Sequence, residues 1–534
     1  MKFSKEIIYM AYKNNLKHIA IISFVFAVAL AVSGSTYFMT GIPLKYNLSS
    51  DTLVHAVHWQ EFSRDYSGNF VNDEMFQNNQ AWPTGQLFID KALVSIGEKL
   101  GIDLLSWSLI ISFLTLAFFL GGVYFLVLYS LKSPTLGLAI SLVSIVPVIS
   151  LGLSSWGFIA HGFVPKEIAV AITVWLSVLY FSGVLSGSKT KIAAFFLLLG
   201  FFSNWYPIVF FHYALLILTV EVIRARSIKK EHILYGLLFL AAAPVALYDL
   251  FIKSAGFSAP DIEMIYNHYT WVLHSGEYLF VHYLRKQIIY AVIIAALWYI
   301  YRRILKKEYS HSVLLWYAIW WSALAWSLIG VGIEIFAPSY MKYLLSRVSV
   351  WFYLASMIII AHTGYEIYFS KFNRSVKNIT LFSLLLVVLL LGQTSLYSAY
   401  GGIRNFQKNA QDYKQYLSVL TGLKNVIPPG SIILSNPDKR ASMIRAYGGY
   451  GVYVSWKDGN VTIADGDAAK KWFARYKETA SVFSQKDFSA IKKFAVERGL
   501  QFYLFDKRDV KKGADELKKA AILEFGEYGV VKLY

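Results

Sequence analysis

Cysteine is missing from all 534 residues of the sequence. Disulfides, thiol nucleophiles and Cys-ligated metal centres are therefore excluded. Charge is scarce as well: 16% of the residues are Asp, Glu, Lys or Arg, against about 25% in an ordinary soluble domain. The shortage is greatest on the acidic side, with 33 acidic residues against 51 basic ones and a formal charge of +18. A glycine-rich phosphate loop is also lacking, since Gly448-Gly449-Tyr450-Gly451 precedes a strand pattern instead of following one. The two halves show no repeat of helices, which argues against an alternating-access transporter. What is abundant is apolar and aromatic surface: 56% of the residues are hydrophobic, including 37 Tyr, 38 Phe and 15 Trp. That composition belongs to a membrane protein with aromatic belts at the interfaces.

About eleven apolar segments are read at residues 18–40, 108–130, 134–154, 168–186, 192–202, 206–222, 234–252, 287–304, 312–332, 348–370 and 378–396. Stretches of ~20 apolar residues are long enough to cross a bilayer as helices. The first is too long for a signal core and has no A-x-A site after it, so it reads as a retained helix. Basic clusters at 2–17, 132, 189–191, 224–230, 302–307 and 371–377 all fall on one side if every segment crosses. By the positive-inside rule that side is the cytoplasm. The N-terminus is then cytoplasmic. The loops 41–107, 155–167, 253–286 and 333–347 face outward, as does the tail.

The expected architecture is a polytopic α-helical membrane domain, residues 1–399, followed by an extracytoplasmic α/β domain, residues 400–534. The tail carries 23 Lys and Arg against 14 Asp and Glu and has no spanning run. Strands are expected at 431–435, 450–456, 501–505 and 528–533, with helices at 467–483 and 489–498. Its basic charge suits anionic head groups or acidic glycans.

The large first loop places Asp51, Asp73 and Glu74 at the membrane surface, where carboxylates can act on a substrate held in lipid. Asp51, His55 and His58 fall at i, i+4 and i+7, one face of a helix. Such a set suits a divalent cation, Mg or Mn. The same spacing equally makes an amphipathic interfacial helix capped by Asp51. In the later outer loops His161, Lys166, His282, Arg285, Lys286, Tyr340, Lys342 and Arg347 are candidates for holding phosphate. Arg285-Lys286 stands against the positive-inside trend, and Arg grips phosphate through paired hydrogen bonds. The break Ser203-Asn204-Trp205-Tyr206-Pro207 and the nearby His212 lie within apolar sequence, where polar groups normally face a cavity.

This layout resembles the type C (GT-C) glycosyltransferase superfamily over nearly the whole chain. Asp51 occupies the place of the acidic residue that follows the first helix in that superfamily, and Asn72-Asp73-Glu74 looks like its second acidic spot. The loop departs from the family in lacking Asp-Asp or Asp-x-Asp, since Asp51 is followed by Thr52. The tail, through Met443-Ile444-Arg445-Ala446-Tyr447, Tyr453-Val454-Ser455-Trp456-Lys457 and Trp472-Phe473-Ala474-Arg475-Tyr476, is similar to an uncharacterised bacterial membrane protein family.

The resemblance implies transfer of a sugar from a polyprenyl-phosphate donor to a glycan, lipid-linked or protein acceptor, outside the bacterial inner membrane. Asp51 is the expected general base, with Asp73 second. A single base suits inversion, because retention needs a second carboxyl ~5 Å across the sugar. Two other readings stand beside it. One is a polysaccharide polymerase or ligase using a lipid-diphosphate-linked glycan. The other is a non-enzymatic lipid or glycan transporter.

Overall fold

The computed structural model describes residues 2–46, 50–63, 70, 72–73, 84–145, 148–149, 155–157, 162–252, 277–336, 345–369, 409–437, 441–458 and 466–534. The chain is a polytopic α-helical membrane protein with a C-terminal α/β domain. Its membrane part runs α1 (Lys2–Thr40), α2 (Ser50–Phe62), α3 (Thr84–Lys99), α4 (Leu104–Leu131), α5 (Pro134–Val143), β1 (Val148–Ile149), β2 (Ser155–Trp156) and α6 (Pro165–Ser186). It continues with α7 (Lys189–Ser203), α8 (Pro207–Ala225), α9 (Lys230–Ala241), α10 (Pro244–Leu247), α11 (Glu277–Tyr299), α12 (His311–Phe336) and α13 (Ser349–Tyr368).

Among the described residues seven helices are long and apolar enough to cross a membrane, or eight if the bent pair at 230–252 is one span. The 28 residues of α4 extend about 42 Å at 1.5 Å per residue, well beyond a hydrocarbon core of ~30 Å. Local chemistry sets its ends: Asp103 accepts from the Ser106 N–H at 3.1 Å, and Lys132 closes the helix in the left-handed region at φ 57. The most enclosed span is α13 and the least enclosed is α1.

Two expected crossings differ. Among the described residues segment 134–154 is helical only as α5, after which β1 and β2 pair antiparallel. Pro147, four residues past Val143, offers no N–H and disfavours helix before it. Segment 234–252 bends by 80° between α9 and the stretch from Pro244. Segment 192–202, short in the sequence, is α7, whose 15 residues reach about 22 Å and end at the expected break. Segment 378–396 lies outside the described residues.

The tail adds α14 (Ala410–Gly422), β3 (Ile432–Leu434), β4 (Gly451–Val452), α15 (Gly466–Ser484), α16 (Phe488–Glu497), β5 (Phe502–Asp506), α17 (Ala514–Lys519), β6 (Ala521–Phe525) and β7 (Tyr528–Lys532). The sheet order is β4-β3-β5-β7-β6. β3 runs parallel to β4 and β5, whereas β7 is antiparallel to both β5 and β6. Alternation along β5 divides the core. Phe502 and Leu504 face one cluster, and Tyr503 and Phe505 the other.

The first of these clusters crosses the expected domain boundary. Leu53 and Val57 of α2, together with Phe70, pack with Tyr416, Val419 and Leu420 of α14 and with Phe502 of the sheet. The first loop and the tail therefore share a core at one end of the helix bundle.

Candidate anion niche and the docked first loop

Two helices, α6 and α8, begin around one small niche, and α13 borders it. Lys166 and Val170 come from the first turns of α6, Ile208, Val209 and His212 from the start of α8, and Val350 and Trp351 from the start of α13. Tyr206, just before α8, and Arg347, in the 3-10 turn Leu345–Val348 that runs straight into α13, complete the lining. Pro165 and Pro207 open α6 and α8, and no side chain caps α6, α8 or α13. Helix N-termini carry partial positive charge and point N–H groups outward, which makes them anion sites. Lys166 and Arg347 add side-chain donors of the same sign, and His212 adds a ring nitrogen. The floor is rigid: Trp351 is 3% exposed and stacks on Tyr213 at 4.0 Å between ring centroids. A cavity of about 20 Å³ holds one small polar group, such as the edge of a phosphate, and excludes a whole sugar.

The break expected at 203–207 positions this niche. Asn204 donates through Nδ2 to the Ala242 carbonyl at 2.7 Å. Its Oδ1 accepts from the N–H groups of Val245 and Ala246 at 2.9 and 3.2 Å. One side chain thus satisfies the backbone at two adjacent breaks, as the membrane interior demands. The loop helix α3 docks on the same place. A Cβ at Gly85 would lie 1.7 Å from the Asn204 carbonyl oxygen, so only glycine allows the contact. Beside it Thr84 donates its N–H and hydroxyl to Asp249 at 2.8 and 2.7 Å.

Helix α2 lies between the tail and the start of α6. His55 meets the Phe163 ring edge-on at 6.1 Å, and Trp59 lies 4.6 Å from that ring. Phe163 stands three residues before Lys166. Asp51 is in the first turn of α2, one turn before His55. The position of its side chain lies outside the described residues.

Of the expected metal set Asp51, His55 and His58, only the two histidines have described side chains. His58 is wholly buried, with its ring 4.7 Å from Phe62. Burial pushes its pKa down to about 3, with His55 and Lys91 adding to the effect. The Nδ1 of His55 lies 3.4 Å from the Gln86 amide nitrogen. Among the described residues no three His, Asp or Glu side chains come together. No step below runs through a divalent cation.

Asp73 also departs from expectation. It is 1% exposed and accepts from Arg445 at 2.7 and 3.0 Å and from the Val452 N–H at 2.8 Å. Arg445 also donates to Asp458 at 2.5 and 3.0 Å. Burial opposes the guanidinium charge, but the two carboxylates outweigh it and hold Arg445 protonated. The carboxylate expected as a second base is instead a buried anchor that joins the first loop to the tail.

Of the other expected phosphate ligands, Lys166 and Arg347 meet in the niche. Arg285 is exposed and Lys286 half-buried on α11, and neither lines the niche. Glu74, His161, Tyr340 and Lys342 lie outside the described residues, as does the side chain of His282. Sequence reasoning missed Asp90, which is fully buried on α3. Burial pushes its carboxyl up to about 7, although Trp59 and Gln86 face it and pull the other way. Its signal was Gln86, Asp90 and Val94 at four-residue spacing, which sets polar groups on the inner face of a helix.

No protein-family model matches the chain, and no curated protein matches it. Among solved structures it is similar to the apo form of the Archaeoglobus fulgidus oligosaccharyltransferase, with 10% identity and a TM-score of 0.49 over 92% of this chain and 70% of that one. It is also similar to the archaeal oligosaccharyltransferase AglB from Archaeoglobus fulgidus in complex with an inhibitory peptide and a dolichol-phosphate. There the identity is 11% and the TM-score 0.47, over 93% of this chain and 70% of that one.

Proposed function

We propose that the chain is a type C membrane glycosyltransferase. It takes a sugar from a polyprenyl-phosphate carrier and gives it to a glycan, lipid-linked or protein acceptor at the outer face of a bacterial inner membrane. The supporting observation is the niche, where two helix N-termini converge with Lys166, His212 and Arg347. An anion of phosphate type is what that arrangement favours.

In this reading the acceptor hydroxyl gives its proton to Asp51, and its oxygen forms a bond to the anomeric carbon. The bond from that carbon to the carrier phosphate breaks, and the electron pair leaves on the phosphate oxygen. Lys166, Arg347 and the helix N-termini stabilise the charge that develops there. With Asp73 held as a structural anchor, Asp51 acts as the single carboxylate, and the anomeric centre inverts. Glu74 is a reserve carboxylate on the same loop. His161, His282, Arg285, Lys286, Tyr340 and Lys342 are proposed as further ligands of the head group. The N-terminus is cytoplasmic and the tail extracytoplasmic.

The test is mass spectrometry of lipid carriers and glycans in cells with the gene deleted and then restored. Deletion is expected to accumulate a polyprenyl-linked sugar and to remove one glycan, with Asp51→Asn behaving like the deletion. Unchanged carriers and glycans on deletion overturn the reading, and full rescue by Asp51→Asn overturns the base assignment.

A further inference from the structure

We infer that the tail carries a separate binding site for an acidic sugar segment. The site is a cavity of about 350 Å³ on the sheet, at the lower end of the range for small-molecule sites. It lies where β3 and β5 begin and β4 ends, and Arg475, Arg498, Tyr453, Gln501 and Asn72 supply its side-chain chemistry. No carboxylate is among the described residues that line it.

The two arginines come from different elements, Arg475 from α15 and Arg498 from the end of α16. Arg475 lies over the Tyr453 ring at 4.9 Å, which fixes the plane of its guanidinium. Arg498 is paired with Glu478, yet both side chains remain over 40% exposed, at 45% and 42%. Such a pair exchanges readily with a carboxylate from solvent. Guanidinium forks match carboxylates through two parallel hydrogen bonds. The amides of Asn72 and Gln501 each offer a donor and an acceptor, the complement of a sugar hydroxyl. Gly499 is at φ 70, with nothing within 4 Å of a Cβ built on it, so the backbone is open to a ligand there.

Asn72 belongs to the first loop and donates to the Gly430 carbonyl at 3.2 Å. It directly precedes Asp73, the anchor of Arg445. The cavity is therefore complete only when the loop is docked on the tail, which places any glycan bound there beside the loop that carries Asp51. Naming that glycan as the acceptor rests on the transferase reading, whereas the binding itself does not.

The experiment is saturation-transfer NMR and calorimetry on the purified full-length protein in detergent, without lipid donor. The probes are trigalacturonate, neutral maltotriose and inorganic phosphate. Trigalacturonate is expected to bind at least tenfold more tightly than maltotriose. Phosphate is expected to displace it poorly, and Arg475→Gln and Arg498→Gln to weaken it at least tenfold with unchanged melting temperature. Equal binding of maltotriose, full displacement by equimolar phosphate, or unaltered affinity in both folded variants overturns the inference. Wild-type protein alone supplies the first two outcomes should the variants not fold. Because no turnover is read, a failed transferase assay leaves this result standing, and a failed binding assay leaves the transferase reading standing.

Discussion

Asp73 and Arg445, 372 residues apart in the chain, form a two-pronged buried ion pair, Nε to Oδ2 at 2.7 Å and Nη2 to Oδ1 at 3.0 Å. Asp458 closes the group from the other side of the guanidinium. Removing the cation from such a set leaves two buried carboxylates uncompensated. Arg445→Met is expected to cost roughly 3–5 kcal/mol and to separate the first loop from the tail. Limited proteolysis within residues 64–83 checks this: the variant is cut faster than wild type, and an equal rate contradicts the anchor.

Asp90 gives stability a pH dependence. Its folded pKa, pushed up to about 7, lies above its ordinary value of 3.8. The folded state therefore holds a proton that the unfolded chain has lost, and stability falls as pH rises from about 4 to about 7. Asp90→Asn removes this penalty. The variant is expected to melt above wild type at pH 8 and close to it at pH 4, as read by intrinsic fluorescence.

His58 acts in the opposite direction. Its folded pKa of about 3 lies below the ordinary 6.5, so the unfolded chain takes up the proton first and stability falls as pH drops from 6.5 toward 3. His58→Asn is expected to lose less melting temperature than wild type between pH 7.5 and pH 4.5. A divalent cation should raise the melting temperature of neither protein through this residue. A shift with Mg or Mn that vanishes in His58→Asn assigns His58 to a metal site.

The two helix breaks depend on one amide. Asn204→Leu leaves the N–H groups of Val245 and Ala246 and the Ala242 carbonyl without that partner. Each orphaned buried group costs about 1–3 kcal/mol. Hydrogen exchange over 242–247 is expected to rise sharply in the variant, with little change in α14 or the sheet.

Much of this was legible in the sequence where the signal is local. Lys166 and Arg347 stood out because charges flank apolar runs, and the Asn204 break because a polar-proline pair interrupts one. The strands near Ile432, Gly451, Phe502 and Tyr528 followed from turns and alternation, although β6 was missed beside its hairpin partner. What sequence does not carry is the partner of a charge. Asp73 reads as a free loop carboxylate until Arg445 is folded onto it, and α2 reads as one-faced until Leu53 and Val57 enter the core of the tail. The expected spans are interrupted where an apolar run continues through Pro147 or Pro244, because hydropathy is blind to a missing N–H.

The measurement that bears most directly on the central claim is the binding of a short-chain polyprenyl monophosphate to the purified protein. Wild type is compared with Lys166→Gln, Arg347→Gln and the double variant, all of matched melting temperature. The niche predicts saturable binding that weakens by about tenfold for each lost cation, which is ~1.4 kcal/mol apiece. Polyprenyl alcohol, which lacks the phosphate, should not compete. Equal affinity for the monophosphate in wild type and the double variant contradicts the account.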